Sequence, residues 1–316
     1  MFKISPLKKK IISSIGVIGT VACIVAFIRE PSWPTPDKLL VLLGFVFMIF
    51  NQAWDMLKKF IPFIAVLIIY DCFRGLVPYL NSHVHWNLMP RFDEFLFGGE
   101  LPTVILQHWL VHGTIQWYDF LFYGFYMLHF VLPIGLAAAI YKLRPNRYWQ
   151  YALTYMTASF GAFFVYLAFP AAPPWMASIN GTIPHITRVS SEVFAAFGIT
   201  SFPSLYNSMA PNPVAAVPSL HCAYSIIFAI FAFKLFGKKW GALSLLYPFF
   251  IIVGVVYMGE HYVFDAITGA MLAVGSYQVA PYLLRQLQPR IELLLARATA
   301  LRPRLVPEEA EESTVV

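Results

Sequence analysis

The most evident shortage in this sequence is charge. Asp, Glu, Lys and Arg make up 12% of its 316 residues, whereas hydrophobic residues make up 59%. A typical soluble domain carries about 25% charged residues, so this composition excludes an ordinary soluble fold and predicts a membrane protein. The net charge of +6 comes from short basic clusters between apolar runs, and this distribution argues against a nucleic-acid-binding surface.

Cysteine is also scarce. The three cysteines lie in or beside apolar runs, which excludes a disulfide framework and a cysteine-based zinc site; they are Cys23, Cys72 and Cys222. His108 and His112 have the four-residue spacing of a helical metal site, but the glutamate that follows the first histidine in zinc hydrolases is missing. The sequence therefore predicts neither a metal nor another cofactor.

Long apolar runs, by contrast, are abundant, and a run of about 20 residues is long enough to cross a bilayer as a helix. Eight runs are predicted to do so: 11–28, 39–57, 60–80, 118–141, 149–169, 216–233, 240–258 and 263–284. The second is the weakest because Asn51, Gln52 and Asp55 interrupt it, and a re-entrant or interfacial path is its alternative. The predicted fold is an all-α, polytopic membrane helical bundle.

Lysine and arginine indicate the orientation of these helices, since cytoplasmic loops are enriched in both. With eight spans and a cytoplasmic N-terminus, 17 of the 22 basic residues fall on the cytoplasmic side. The remaining five are Arg29, Lys38, Arg74, Arg91 and Arg188. We therefore predict that both termini are cytoplasmic.

Two long segments on the extracytoplasmic side are not predicted to cross. Residues 81–117 are rich in Trp, Phe and His and are predicted to form short helices in the membrane interface. Residues 170–215 contain seven prolines and two charged residues. Proline prevents a continuous helix, and the low charge favours a loop packed on the membrane face.

Three polar residues at predicted helix ends stand out from this apolar background. Pro218 and Ser219 favour a helix start, which places His221 near the outer end of the sixth run. The 40 residues from there to His261 suit two helices of about 30 Å, one inward and one back. Asp265 follows His261 by four residues and therefore shares its helical face. The topology thus predicts that His221, His261 and Asp265 converge.

Two histidines and a carboxylate in this arrangement suit phosphoryl transfer. A carboxylate that binds one imidazole nitrogen fixes the tautomer and leaves the other nitrogen free to act. His261 is predicted to attack a lipid phosphorus and form a phosphohistidine, while His221 protonates the departing alkoxide and later deprotonates the acceptor. The alternative for a single membrane histidine, and the one favoured for His129, is hydrogen-bonded packing.

These residues resemble the type 2 phosphatidic acid phosphatase superfamily of membrane lipid phosphatases and phosphotransferases. Its second motif, Pro-Ser-x-His, is matched by Pro218, Ser219 and His221, and its third ends in His-x-x-x-Asp, matched by His261 and Asp265. The resemblance implies the same three roles, with His261 as nucleophile, Asp265 as orienting group and His221 as acid and base. It covers about residues 65–284 and implies a six-helix core with two additional N-terminal hydrophobic segments.

Departures from the general motifs indicate a subgroup. The family places Ser-Arg before the third-motif histidine, where this chain has Gly254 and Val255, and its first motif is absent. Arg144-Pro145 is the nearest imitation of that motif, on the predicted cytoplasmic side. The chain is similar instead to the inositol phosphorylceramide synthases and their bacterial relatives, an inositolphosphotransferase subgroup. Stretches similar to their other signatures are 96–102, 126–130 and 170–175.

Without the family arginines, other cations have to bind the phosphate. A permanently charged guanidinium suits this role, and the candidates on the predicted outer side are Arg74, Arg91 and Arg188. The alternative for Arg74 is an ion pair with Asp71, and the alternative for Arg91 is a pair with an acidic neighbour. Further predicted substrate contacts are Ser219, Tyr262 and His129.

The predicted function is an integral membrane lipid phosphotransferase that moves a phospholipid headgroup, inositol phosphate-like, to a lipid or polyol alcohol. The alternatives are a lipid or polyprenyl phosphate phosphatase and a non-catalytic lipid-binding or transport protein. We expect N-terminal membrane anchor segments over 1–59, a catalytic membrane domain over 60–284 and a partly disordered cytoplasmic tail over 285–316. The expected partners are a phospholipid or lipid phosphate and the bilayer, with the active site at the extracytoplasmic face; no protein partner is indicated.

Overall fold

A computed structural model describes residues 5–29, 36–50, 53–197 and 212–300 of the chain. These described residues are predominantly helical, with two isolated β-bridges and no strand. The helices are α1 (Pro6–Arg29), α2 (Pro36–Ile49), α3 (Ala53–Leu80), α4 (Leu88–Leu96), α5 (Pro102–Leu110), α6 (Trp117–Leu143), α7 (Tyr148–Ala168), α8 (Pro174–Ile179), α9 (Val189–Ala196), α10 (Leu220–Ser244), α11 (Leu246–Tyr257) and α12 (Val263–Ala300). The predicted all-α class is confirmed.

Six helical segments within the described residues are long and apolar enough to cross a membrane. They are Pro6–Arg29, Phe60–Leu80, Trp117–Leu143, Pro145–Ala168, Leu220–Ser244 and Val263–Leu287. Each overlaps one of the eight runs predicted from the sequence. The chain is therefore a multi-pass membrane protein.

The two remaining predicted runs form shorter helices. α2 has 14 residues and ends at Ile49, whereas Asn51 and Gln52 lie outside the described residues. α11 has 12 residues, about 18 Å at the usual rise of a helix. It follows a break in α10 at Gly237, whose φ of 85° lies in the left-handed region that favours glycine. The chain turns there, and the residues after the break together with α11 return towards the start of α12.

The N-terminal helices form a hairpin at the edge of the bundle. α1 packs along α2, and α2 contacts α3 and α6. The helices of the hairpin approach closely at Gly16, where a Cβ would lie 2.6 Å from the backbone nitrogen of Ile49. The division predicted at residue 59, between anchor segments and catalytic domain, falls inside the continuous helix α3. That division stays a prediction.

The last helix is longer than the run that predicts it. α12 continues from Val263 to Ala300, so the first part of the tail expected over 285–316 extends the final span as one helix. The acidic run Glu308–Glu312 lies outside the described residues.

The long segments between spans contain short helices, of which α4 contacts α12, α5 contacts α11 and α9 contacts α6. α4 and α5 lie within 81–117, and α8 and α9 lie within the first part of 170–215. Isolated parallel bridges join His85 to Ala171 and Ala171 to Ala215. The N–H of Ala171 donates to the carbonyl of Val214 at 2.9 Å. Three chain segments are thereby brought side by side next to the start of α10.

One face of α7 organises the bundle interior. A buried hydroxyl needs a hydrogen-bond partner, and two of the buried tyrosines of α7 find theirs on the segment that begins α10. Tyr155 donates to the carbonyl of Tyr224 at 3.0 Å, and Tyr166 donates to the carbonyl of Pro218 at 2.9 Å. The hydroxyls of Ser159 and Tyr224 lie 2.5 Å apart. These bonds fix the height and rotation of the start of α10 relative to α7.

Candidate active site

The start of α10 lies against the start of α12. Ser219 is the N-cap of α10, and its hydroxyl accepts a hydrogen bond from the N–H of Cys222 at 3.4 Å, in keeping with the preference for serine at this position. The N–H of Ser219 donates to the carbonyl of Asp265 at 3.0 Å. This bond joins the two helix starts directly and places His221, one residue into α10, at their junction.

The turn between α11 and α12 directs His261 to the same junction. α11 closes with Gly259 in a left-handed conformation, φ 75°, and the N–H of Glu260 donates to the carbonyl of Val255 at 3.0 Å. This is the Schellman pattern of a helix end. The conformation requires glycine, and a Cβ at residue 259 would also displace the end of the Ile186 side chain, since it would lie 2.9 Å from Cδ1.

His221, His261 and Asp265 meet at this junction. Oδ2 of Asp265 lies 3.2 Å from Nδ1 of His261, and Nε2 of His261 lies 3.4 Å from Nδ1 of His221. Asp265 is fully buried and His261 is 6% exposed, which shields their hydrogen bond from water. Because Nδ1 of His261 is held by the carboxylate, Nε2 is the nitrogen left to act, and it faces the second imidazole.

His221 is held by aromatic rings instead of a carboxylate. The ring of Tyr126 lies 4.3 Å from that of His221, centroid to centroid, with 18° between the planes, and the ring of His129 lies 4.3 Å away at 38°. His129 stacks in turn on Tyr224 at 5.0 Å. Two residues of α6 therefore orient His221. The described contacts of His129 are ring contacts, and its buried Nδ1 has no hydrogen-bond partner among the described residues. The hydrogen-bonded packing favoured for it is therefore not seen, and its contact with substrate stays a prediction.

A second carboxylate, supplied by α4, lies at the start of α12. Asp93 is fully buried; its Oδ2 accepts from the N–H of Val263 at 2.8 Å, and its Oδ1 accepts from the N–H of Phe264 at 3.0 Å. Oδ2 of Asp265 accepts from the N–H of Tyr262 at 2.9 Å. Burial raises the pKa of Asp93 to about 6, although the two backbone hydrogen bonds oppose the shift. The start of α12 thus meets two acidic side chains, the charge that a helix N-terminus favours.

Arg188, in the segment that leads into α9, forms an ion pair with Glu260, the residue before His261. Its Nε lies 2.8 Å from Oε1 of Glu260, and its Nη2 lies 3.2 Å from Oε2. The hydroxyl of Ser190 also donates to Oε1 of Glu260. The guanidinium lies over the ring of Trp175 at 4.2 Å. Burial alone would lower the pKa of Arg188, but its hydrogen bonds to Glu260 outweigh this and raise it. The side chain remains 41% exposed, so a fixed cation is open to an anionic ligand.

The structure gives the other two arginine candidates different positions. Nε of Arg74 lies 3.3 Å from Oδ1 of Asp71, the ion pair considered as its alternative. Arg74 also lies within electrostatic reach of His221. Arg91 is exposed on α4. Arg74 is therefore placed towards the histidines and Arg91 towards the surface of α4.

Two other predicted substrate contacts occupy packing positions. Ser219 is fully buried and caps α10. Tyr262 is 1% exposed within an apolar cluster that includes Met89, Ala171 and Val217, and burial raises the pKa of its hydroxyl. The contacts of both side chains are structural, and their contact with substrate stays a prediction.

Four residues that shape the site were not among the predicted site residues; they are Asp93, Gln107, Tyr126 and Glu260. Gln107 ties the loop of Arg188 to the end of α11, since its Nε2 donates to the carbonyls of Thr187 at 2.7 Å and Tyr257 at 2.8 Å. The sequence offers a signal for Glu260, because this acidic residue directly precedes the predicted nucleophile His261. Asp93 and Gln107 act through contacts between segments distant in sequence, which no local pattern reveals. Tyr126 lies in the stretch 126–130 that is similar to a signature of the subgroup.

The arrangement supports nucleophilic attack by a nitrogen with proton transfer beside it. Nε2 of His261 is free of the carboxylate, a second imidazole nitrogen faces it, and the guanidinium of Arg188 lies in the neighbouring loop. No group of three or more His, Cys, Asp or Glu side chains suited to a metal ion occurs in the part of the chain that the structure describes.

Comparison with known proteins points to one family. A family model described as the PAP2 superfamily matches residues 96–279. The phosphoinositol dihydroceramide synthase of Bacteroides thetaiotaomicron is 29% identical in an alignment of 234 residues that covers 68% of this chain and 73% of the relative. The inositol phosphorylceramide synthase of Candida albicans is 26% identical over 208 residues, 62% of this chain and 42% of that relative. No solved structure matches the chain significantly.

Proposed function

This chain belongs to the PAP2 superfamily of membrane enzymes, and we propose that it transfers an inositol phosphate-like headgroup from a phospholipid to a lipid or polyol alcohol. The names of two relatives support this reaction class, because both are synthases of an inositol phosphate-bearing sphingolipid. A ceramide-like alcohol is accordingly the first acceptor to test.

The observation that carries the proposal is the alignment of Asp265, His261 and His221. In the first step Nε2 of His261 attacks the phosphorus of the donor phosphodiester, so that an N–P bond forms and the bond from phosphorus to the glycerol oxygen breaks. Nδ1 of His221, 3.4 Å from the attacking nitrogen, gives its proton to the departing alkoxide. The products of this step are diacylglycerol and a headgroup phosphohistidine.

The second step reverses the roles with a different alcohol. The acceptor hydroxyl gives its proton to Nδ1 of His221, and its oxygen attacks the phosphorus while the N–P bond breaks. Throughout both steps Asp265 keeps its hydrogen bond to Nδ1 of His261 and stabilises the positive charge that develops on the ring. Water in place of the alcohol would release the headgroup phosphate and make the enzyme a hydrolase.

Two arginines are proposed to bind the phosphate. Arg188 offers an exposed edge of a guanidinium that Glu260 and Trp175 hold in place, and such a fork suits two phosphate oxygens at once. Arg74 approaches the histidines from α3. The family range also contains the three reacting residues, which the Lys and Arg distribution assigns to the extracytoplasmic side. We therefore place the reaction at that face, with both termini in the cytoplasm.

The test is mass spectrometry of lipid products from purified protein in nanodiscs that contain phosphatidylinositol and ceramide. Wild type is expected to form a headgroup-bearing sphingolipid and diacylglycerol in equal amounts. His261→Ala is expected to abolish both, because the nucleophile is lost. His108→Ala is the matched control, since His108 is an exposed histidine on α5, and it is expected to keep wild-type activity.

Each alternative outcome has a distinct meaning. Release of inositol phosphate into water, dependent on His261, would replace the transferase proposal with a hydrolase. Product formation at an undiminished rate in His261→Ala would contradict the phosphohistidine mechanism. No His261-dependent product from any phosphorylated lipid would favour the lipid-binding or transport function.

A further inference from the structure

The first turn of α12 begins with N–H donors that have no backbone acceptor inside the helix. A helix leaves its first N–H groups unpaired, and buried N–H groups of this kind are satisfied by capping side chains. Here the donors are Tyr262, Val263 and Phe264. Their acceptors are carboxylate oxygens of Asp265 and Asp93, both fully buried.

Asp93 makes the larger part of this cap and comes from a distant part of the chain. Each of its two oxygens accepts one N–H, from residues 170 and 171 positions later in the sequence. Two bonds from one rigid, planar group fix both the position and the rotation of the first turn. A carboxylate that bound only one N–H would leave the turn free to rotate about that bond.

Rotation of this turn would misalign the reacting groups. His261 lies immediately before the capped residues and Asp265 lies within the first turn, so both move with it. The two contacts that define the site are already long for hydrogen bonds, at 3.2 Å to Asp265 and 3.4 Å to His221. A displacement of about 1 Å at such a site costs on the order of 100-fold in rate.

We infer that Asp93 is a positioning residue, which fixes the first turn of α12 and so aligns His261 with Asp265 and His221. It touches neither histidine and acts through the backbone of Val263 and Phe264. α4, which carries it, exposes Leu88 and Phe95 on its other side. The same short helix therefore carries both exposed apolar side chains and the carboxylate that binds the start of α12. The effect on rate rests on the proposed function, whereas the effect on the helix start does not.

The experiment separates these two effects by using hydrogen exchange and kinetics on the same samples. Exchange of peptides that cover 259–268 is followed in nanodiscs for wild type, Asp93→Ala, Asp93→Asn and the control Glu100→Gln, whose side chain is exposed after α4. Asp93→Ala is expected to speed exchange at the start of α12 about tenfold, because two buried N–H groups lose their acceptor. Asp93→Asn keeps one carbonyl oxygen and is expected to show a smaller change.

Kinetics with phosphatidylinositol and ceramide provide the second readout. Per folded protein, kcat of Asp93→Ala is expected to fall about 100-fold with KM within about twofold of wild type, Asp93→Asn to recover part of the loss, and Glu100→Gln to match wild type. Unchanged exchange at 259–268, or a change in KM without a change in kcat, would overturn the inference. If wild type makes no product from these lipids, the proposed function fails and the exchange result alone decides whether Asp93 holds the helix start.

Discussion

The two helix starts that meet at the site hold their histidines by different physical means. At the start of α10, Ser219 supplies one hydroxyl cap, and the His221 ring rests against Tyr126 and His129. At the start of α12, two buried carboxylates accept hydrogen bonds from three backbone N–H groups, and one of them also binds Nδ1 of His261. One start is neutral and aromatic, and the other is anionic and hydrogen-bonded.

This difference matches what each histidine is proposed to do. A nucleophile needs one fixed tautomer and a fixed direction, which a carboxylate on the far nitrogen supplies. An acid and base has to gain and lose a proton during each turnover, and a permanent carboxylate partner would hold it in the protonated form. Aromatic contacts orient His221 without a carboxylate that would hold its proton.

The largest expected effect on the rate comes from removing the charge of Asp265 at the start of α12. Asp265→Asn keeps the size of the side chain but cannot hold the same tautomer, so kcat is expected to fall on the order of 10³- to 10⁴-fold. Product formation per folded protein is the measurement. Asp119→Asn, which removes a buried carboxylate that accepts from Tyr257, is the matched control for a general loss of stability. A tenfold or smaller loss in Asp265→Asn would contradict the orienting role, by the same scale.

A smaller effect on the rate is expected from removing the aromatic ring that lies against His221 at the start of α10. Tyr126→Ala removes a ring contact worth about 0.5–1.5 kcal/mol, so kcat is expected to fall about 2- to 13-fold. Tyr126→Phe keeps the ring and is expected to keep most of the activity, measured by the same lipid assay. If Tyr126→Phe loses as much as Tyr126→Ala, the hydroxyl and not the ring contact is what the reaction needs.

The smallest effect on rate is expected at the hydroxyl cap of α10. Ser219→Ala is expected to cost about 1 kcal/mol of stability, which lowers the Tm by about 2–4 °C, while kcat and KM stay near wild type. Thermal unfolding in detergent, followed by tryptophan fluorescence, measures the first effect. A large rise in KM would show that Ser219 contacts substrate, as predicted from the sequence, and would end the purely structural interpretation.

Much of the site is foreseeable because its parts follow regular helices. His261 and Asp265 share a face through the helical repeat alone, and His221 comes near them because the chain crosses the membrane and returns. The apolar runs predict the spans for the same reason, since a bilayer demands about 20 apolar residues of each. The exception is the return path, where Gly237 breaks α10 and α11 is short.

The remainder of the site depends on contacts that no periodicity encodes. Asp93 looks from the sequence like a partner for Arg91, yet the fold buries it and turns its carboxylate to α12. Arg188 and Glu260 are 72 residues apart, and their pairing follows from how the proline-rich segment folds over the end of α11. Such contacts are set by loop conformations, which are the least regular part of the chain.

The 3.4 Å between Nε2 of His261 and Nδ1 of His221 has a chemical consequence. The lone pair of Nε2 that would attack phosphorus is the one that faces Nδ1 of His221, so formation of the proposed N–P bond ends any hydrogen bond between the two rings. The carboxylates continue to hold His261 at the start of α12, and His221 is then held by its ring contacts with Tyr126 and His129. The Tyr126 contact restrains the plane of the His221 ring, since the two rings stack at 18°, and it leaves Nδ1 available to give up a proton and take one back in the proposed cycle.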